Sequence, residues 1–217
     1  MIAMADKSIV EAVDKIKQAS QDNKKNFKQT IDLVINLKNI DLTVPKNRID
    51  EEIILPKGRG KEAKIGLFAS GELALNAKKI VDLLIKPEEI DDLADDKKQV
   101  KNIADTHDFF LAEAPLMPTI GKTLGTVLGP RGKMPKPVPP GGNISDTVNN
   151  LRNTVKIRSK TNTTFHTIVG GEEMSSDDIA ANVQAIIKRL EGLLERGRLN
   201  IRSIHIKTTM GPSEKIM

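Results

Sequence analysis

The sequence predicts an α/β protein in two parts: a split α+β domain made of residues 1–63 and 154–217, with a three-layer α/β domain, residues 64–153, inserted into it. Three observations predict this. Long alternating segments, Phe27–Lys38 and Ile201–Lys207, lie toward the two ends of the chain, and alternation marks strands with one buried face. Between them stand short apolar runs, Ile65–Ala69, Ile80–Ile85 and the strand Asp108–Ala112, separated by helical patterns. That is the grammar of buried parallel strands in a Rossmann-like, three-layer unit. The charge is also partitioned. Residues 1–63 hold 12 Lys+Arg against 10 Asp+Glu, residues 154–217 hold 10 against 7, and the middle is balanced at 12 and 12, so the ends carry the whole +5. A basic surplus confined to one structural unit is the footprint of a polyanion binder.

The elements follow in order. Ser8 to about Ser20 reads as a helix, with Ser8 as cap, Glu11 three residues on, and Ile9, Val13 and Ile16 as its apolar stripe. Phe27–Lys38 is a strand whose apolar face is Phe27, Ile31, Leu33, Ile35 and Leu37, with Lys28, Thr30, Asp32, Asn36 and Lys38 opposite and Val34 the exception. Ile49–Leu55 is a second strand, and residues 56–61 form a basic, glycine-containing link. In the middle, Glu72–Lys79 is helical, Pro87 opens a short helix, Lys97–Asp105 is amphipathic, and Met117–Leu128 is one helix capped near Pro118-Thr119. The stretch Gly129–Gly142, with five prolines and four glycines, is expected to be neither helix nor central strand. Ile144–Asn153 is a returning helix with Ser145 as cap. Val155–Arg158 and Thr164–Ile168 are expected to pair as a hairpin across Thr161-Asn162-Thr163, and Ser176 to cap a helix reaching Glu195. The last strand places Ile204 and Ile206 on one face and Ser203, His205 and Lys207 on the other, then stops at the Gly211-Pro212 turn.

Composition excludes several functions. With no Cys there are no disulfides or thiolate metal sites. Trp and Tyr are absent and Phe numbers five, so a nucleic-acid binder here would read shape, phosphate and ribose instead of stacking bases. No apolar run approaches the length of a membrane span and no signal-peptide core is visible, so a cytoplasmic protein with no membrane partner is expected.

No reaction chemistry stands out. Gly129-Pro-Arg-Gly-Lys133 superficially resembles a phosphate loop, but Lys133 is followed by Met134 and position 127 is Val. No Gly-x-Gly-x-x-Gly follows Ile65–Ala69, and His107, His166 and His205 lack ligand spacing. No cofactor, metal or catalytic residue is expected. A nucleotide- or small-molecule-binding enzyme on the inserted domain, and a protein-interaction module using the proline-rich stretch, stand as rival readings.

The polar face of the outer domain carries more. Lys28, Thr30, Arg158, Lys160, Thr164, His166, Ser203, His205 and Lys207 are hydroxyl-bearing or basic, suited to ribose and phosphate. Thr208-Thr209-Met210-Gly211-Pro212-Ser213 adds three hydroxyls and an apolar side chain at the end of a strand. Alone, that turn reads better as an ordinary strand end than as a binding site.

Three stretches carry a family resemblance: Lys207-Thr-Thr-Met-Gly-Pro-Ser213, Leu124–Pro135 with its Leu-Gly-Pro-Arg-Gly-Lys-Met-Pro core, and Ile53-Ile-Leu-Pro-Lys-Gly58. With them the chain resembles, over nearly its whole length, the family of the large-subunit lateral-stalk ribosomal protein, universal large-subunit protein one. Lys133-Met134 and the prolines after Pro135 look like its archaeal branch. The resemblance implies a structural, non-enzymatic protein, monomeric when free, in the large ribosomal subunit. It implies binding to large-subunit rRNA, help in releasing exit-site tRNA, and repression of translation by binding its own mRNA. Carried over, its RNA-binding positions are Phe27, Lys28 and Thr30, then Arg158, Lys160, Thr161 and His166, then Lys207, Thr208, Thr209, Met210, Gly211 and Ser213.

Overall fold

A computed structural model describes residues 2–139 and 144–217. The chain forms two compact units, Met1–Glu62 with Asn153–Met217, and Ala63–Arg152. The mixed α/β fold is the one the sequence predicts.

In chain order the first unit begins with helix α1 (Ile2–Asp22), strand β1 (Thr30–Leu37) and strand β2 (Asp50–Ile54). Helix α1 starts earlier than the capping pattern suggested, so Ser8 lies inside it and does not cap it. Strand β1 starts three residues later than expected. Phe27 lies outside it and is 51% exposed, so it is not part of the apolar face. That face is Ile31, Leu33, Ile35 and Leu37, all buried.

The second unit holds β3 (Ile65–Phe68), α2 (Gly71–Ala77), β4 (Leu83–Ile85), α3 (Pro87–Asp95), α4 (Lys97–Thr106), β5 (Phe109–Glu113), α5 (Met117–Thr123), α6 (Gly125–Arg131), β6 (Lys136–Val138) and α7 (Ile144–Arg152). Its four strands run parallel in the order β4-β3-β5-β6. Alternate strand residues feed opposite layers. Ile65, Leu67, Phe109 and Leu111 join α7 through Val148 and Leu151. Phe68, Phe110 and Ala112 join the helices α3 to α6 through Ile90, Val100, Ile120 and Leu128. Gly66 is required here, since a Cβ would lie 2.8 Å from the Phe110 ring.

Several local expectations need correction in this unit. The single helix Met117–Leu128 is two, broken at Leu124 between Gly121 and Gly125, both poor helix formers. No side chain caps α5, and Pro118 sits in its first turn. The proline-rich stretch is not wholly irregular. Gly129-Pro130-Arg131 completes α6, where Pro130 is tolerated in a short terminal turn, and Lys136–Val138 forms an edge strand on β5. Pro140–Gly142 lie outside the described residues. Ser145 lies within α7 and is not its cap. The Ile80–Ile85 run yields only a three-residue strand, after a turn at Ile80 and Val81.

The chain then returns to the first unit with β7 (Thr154–Arg158), β8 (Thr164–Gly171), α8 (Ser176–Leu193), β9 (Ile201–Thr208) and β10 (Ser213–Lys215). The expected β7–β8 hairpin does not form. Strand β7 pairs antiparallel with β2, and β8 pairs antiparallel with β1. Periodicity identifies a strand but not its partner. The cap of α8 is Ser175, whose hydroxyl accepts from the Asp178 amide, and not Ser176. The chain also continues past the last turn: β10 folds back onto β9.

The main sheet has the order β10-β9-β1-β8, antiparallel throughout. Helices α1 and α8 cover one face, with Val13, Ile16, Ile179, Val183, Ile186 and Leu190 packed on Ile31, Leu33, Ile204 and Ile206. The other face is polar, the usual arrangement for a half-solvated antiparallel sheet. Asn182 ties the link after β2 into this core. Its side chain accepts from the Lys57 amide at 3.0 Å and donates to the Gly58 and Val169 carbonyls at 2.8 Å. Asn182→Leu leaves those backbone groups without partners and is expected to cost about 2 kcal/mol or more, read as a lower urea midpoint at unchanged m-value.

Candidate nucleic-acid interface

Two strands meet at one end of the polar sheet, where the start of β1 faces the end of β9. The turn after β9 is fastened there by buried and half-buried groups. The Thr209 amide donates to the Thr30 carbonyl at 3.0 Å. The Thr209 hydroxyl accepts from the Thr30 amide at 3.2 Å and lies 3.0 Å from the Thr30 hydroxyl. The Met210 amide donates to Gln29 Oε1 at 2.9 Å. Gln29 is buried and continues the chain of contacts: its Nε2 donates to Ser20 Oγ at 2.7 Å, and Ser20 Oγ donates to Glu172 Oε2 at 3.3 Å. The turn is therefore fixed by a polar relay reaching back to α1, while the Met210 side chain stands 63% exposed. A fixed backbone that projects an unburied apolar side chain is a preorganised contact, which lowers the ordering cost of binding.

Thr208 differs from its neighbours. It shares the core parity of Ile204 and Ile206, is fully buried, and cannot present its side chain to a ligand as expected. Its hydroxyl finds no hydrogen-bond partner. It lies directly beneath Gly211, where a Cβ would come within 2.1 Å of Thr208 Oγ1. The glycine is required by close approach of this hydroxyl.

The remaining expected site residues distribute along the sheet. Phe27 and Lys28 precede β1, and Lys28 is paired with Glu173 at 2.8 Å, a hydrogen bond that raises the lysine pKa above its ordinary value. Ser213 is exposed at the start of β10. His166 and His205 flank Val34 on β1, and Lys207 flanks Asp32. Lys160 and Thr161 are exposed in the turn before β8, at the opposite end of the sheet from Met210. Arg158 is not on this face. It lies on β7, where its Nε pairs with Asp50 at 3.3 Å beside Lys156.

Sequence reasoning missed Gln29, Ser20 and Glu172. The signal was present for Gln29, a polar residue on the core parity of Ile31 and Leu33. The weight of Asp32 was also missed. It sits mid-face, and burial raises its carboxyl pKa, opposed by the charges of His166 and Lys207.

The basic residues of Gly129–Lys133 serve the inserted unit itself. Gly132 adopts the left-handed conformation that ends α6. Lys133 Nζ donates to the Ala104 and His107 carbonyls at the end of α4, at 2.7 and 2.8 Å, and Arg131 pairs with Asp105 at 3.1 Å. Strand order reverses between β3 and β5, the place where doubly wound sheets bind ligands. Here the Glu113 carboxylate fills that position, accepting from the Ser70 amide at 3.1 Å and hydroxyl at 2.7 Å. A carboxylate on the donors that would meet a phosphate disfavours the nucleotide-enzyme reading.

The model of the ribosomal protein L1p/L10e family matches residues 16–212. The chain belongs to this family. It is 52% identical to the large ribosomal subunit protein uL1 of Methanocella arvoryzae, across 99% of this chain and 100% of the relative. It is 50% identical to uL1 of Methanosarcina barkeri over the same shares, and 48% identical to uL1 of Haloferax volcanii over 98% of this chain and 99% of that one. The family is one of structural ribosomal proteins and not of enzymes, and these relatives place the chain in its archaeal branch. No helix among the described residues is long and apolar enough to cross a membrane.

Two tests follow from the geometry. Gly211→Ala is expected to cost about 1–3 kcal/mol by overpacking, and Thr208→Ala to restore most of it in the double variant, both read by urea denaturation. Burial makes the folded chain hold the Asp32 proton more tightly than the unfolded chain. Stability from this group is thus present in acid and lost as pH rises through its raised pKa. Asp32→Asn is expected to be more stable than the parent near neutral pH, with the gap closing as pH falls below the ordinary carboxylate range. Urea midpoints across that range check it.

Proposed function

We propose that the chain binds large-subunit rRNA at the base of the lateral stalk, through a split RNA-binding domain made of residues 1–63 and 154–217. The single observation carrying this reading is the Thr209-Met210-Gly211 turn, locked by Thr30 and Gln29 yet presenting Met210 to solvent. Such a turn fits the shape of a folded RNA, and the near absence of aromatics agrees with recognition by shape and ribose, not base stacking. Family membership and the uL1 relatives support a ribosomal RNA partner.

The finer roles rest on the motif resemblance. The same turn would bind the chain's own mRNA, where a fold imitating the rRNA site gives translational repression. On the ribosome, the stalk so formed would assist release of exit-site tRNA. The contacts proposed are Phe27, Lys28, Thr30, Lys160, Thr161, His166, Lys207, Thr209, Met210, Gly211 and Ser213, with Thr208 acting from beneath the turn.

Met210→Asp places a charge where the RNA backbone would come closest. It is expected to weaken binding of an rRNA stalk-base fragment and of the chain's own mRNA leader by at least ~1–3 kcal/mol, in a filter assay, with an unchanged melting curve. Undiminished binding of the rRNA fragment would remove this turn from the site.

A further inference from the structure

The opposite end of the same sheet carries a second set of unusual features. Strands β1 and β9 lose register between Asn36 and Leu37: Asn36 faces Ser203 and Leu37 faces Ile201, so Arg202 is the extra residue of a β-bulge. The bulge keeps Ile201 in the core and turns Arg202, which strict alternation would have sent inward, out to solvent. The turn before β9 holds Arg196 and Arg198, both exposed. It is anchored by buried Asn200, whose Oδ1 accepts from the Arg196 amide at 2.8 Å and whose Nδ2 donates to the Lys38 and Asn39 carbonyls at 3.2 and 3.3 Å. Lys38 is exposed beside it. The turn carrying Lys160 joins the same end, where the Leu37 amide donates to the Thr163 carbonyl at 2.8 Å.

Backbone strain gathers here too. Among the described residues, the non-glycine residues at positive φ are Asn39 at 56° and Lys160 at 48°, and both lie at this end. Such conformations cost free energy and collect at binding sites. The cations are also free. Elsewhere among the described residues of this unit Lys15, Lys28, Lys57, Lys156, Arg158 and Arg189 are each paired with a carboxylate, while Lys24, Lys25, Lys46, Lys188 and Lys215 are not. Among the described residues, Lys38, Lys160, Arg196, Arg198 and Arg202 have no ion pair. The acidic residues nearest in sequence are Asp41 and Glu195. Asp41 is engaged by the Thr43 amide and hydroxyl.

We propose that this end of the sheet is a second nucleic-acid contact, a clamp for RNA backbone phosphates built by Arg196, Arg198 and Arg202 with Lys38 and Lys160. It rests on the reading of the chain as an RNA binder. Guanidinium groups suit phosphate because their planar donors engage it in pairs. The bulge and the Asn200 anchor hold the arginine backbone in place before RNA arrives. Six residues of β1 separate the two ends, about 20 Å at strand rise, so one RNA lying along the polar face touches both. The Met210 turn then selects the RNA, and the arginine end adds affinity without sequence preference.

The test is a salt titration of rRNA stalk-base fragment binding by the full chain, compared with an unrelated RNA duplex. The triple substitution Arg196→Gln, Arg198→Gln, Arg202→Gln is expected to weaken both and to lower the slope of log affinity against log salt by about two to three. The ratio of the two affinities should hold. The corresponding triple Lys variant should keep the slope. Single Gln variants, each lowering the slope by roughly one, carry the test if the triple variant melts early. An unchanged slope in well-folded Gln variants, with Met210→Asp still impaired, overturns the clamp and leaves the first contact standing; a protein-docking role for this end would give that same result. Failure of the parent chain to bind the fragment at all overturns the RNA reading itself.

Discussion

The structure depends on the position of β1. A strand from the start of the chain lies between two strands from its end, pairing with β8 on one side and β9 on the other. Neither end can form that sheet alone. The four buried apolar residues of β1 then lie at the centre of the core, under α1 and α8. Breaking this pairing would expose that core and separate Thr30 from Thr209 together. Stability and the candidate site therefore rest on the same ladder.

The polar face inherits its character from that ladder. Because most apolar side chains are consumed by the helices, the opposite parity is left mainly to Thr30, Asp32, Asn36, His166, His205 and Lys207, with Val34 and Ile168 the apolar exceptions. Register sets what they meet. Asn36 donates to Ser203 at 2.8 Å and accepts from Thr164 at 2.7 Å, a cross-strand row of uncharged polar groups. Asp32 sits beside the basic residues instead, and burial opposes its ionisation. The face is thus graded. An apolar turn projects at one end, mixed charge lies in the middle, and unpaired cations stand at the other end.

The inserted unit shows how a motif can have a structural role of its own. Leu124–Pro135 was among the most distinctive stretches in the sequence, yet its cations are turned inward or onto a neighbouring helix. Lys133 ends α4 and Arg131 holds Asp105. The glycine at 132 supplies the left-handed residue that closes α6. Its sheet has the layering of a ligand-binding fold, but Ser70 and Glu113 satisfy each other at the switch point.

The sequence by itself determined most of the helices and strands and the buried faces of α1, β1, α8 and β9, because side-chain parity is a local property of the chain. Alternation in β1 and β9 placed Ile31, Leu33, Ile204 and Ile206 inside, and the same parity, read one step further, places Thr208 inside and marks Gln29 as a buried polar group. The terminal motif identified the turn. Partner choice was not legible: β7 and β8 are adjacent in sequence and lie in different sheets, and Arg158 follows β7 to Asp50, away from the polar face. Nor was the bulge at Arg202 legible, since it arises only when β9 must match β1 through one extra residue. Only the tertiary structure decided that Met210 and Lys160 stand at opposite ends of one surface, because antiparallel pairing sets positions by register between strands remote in sequence.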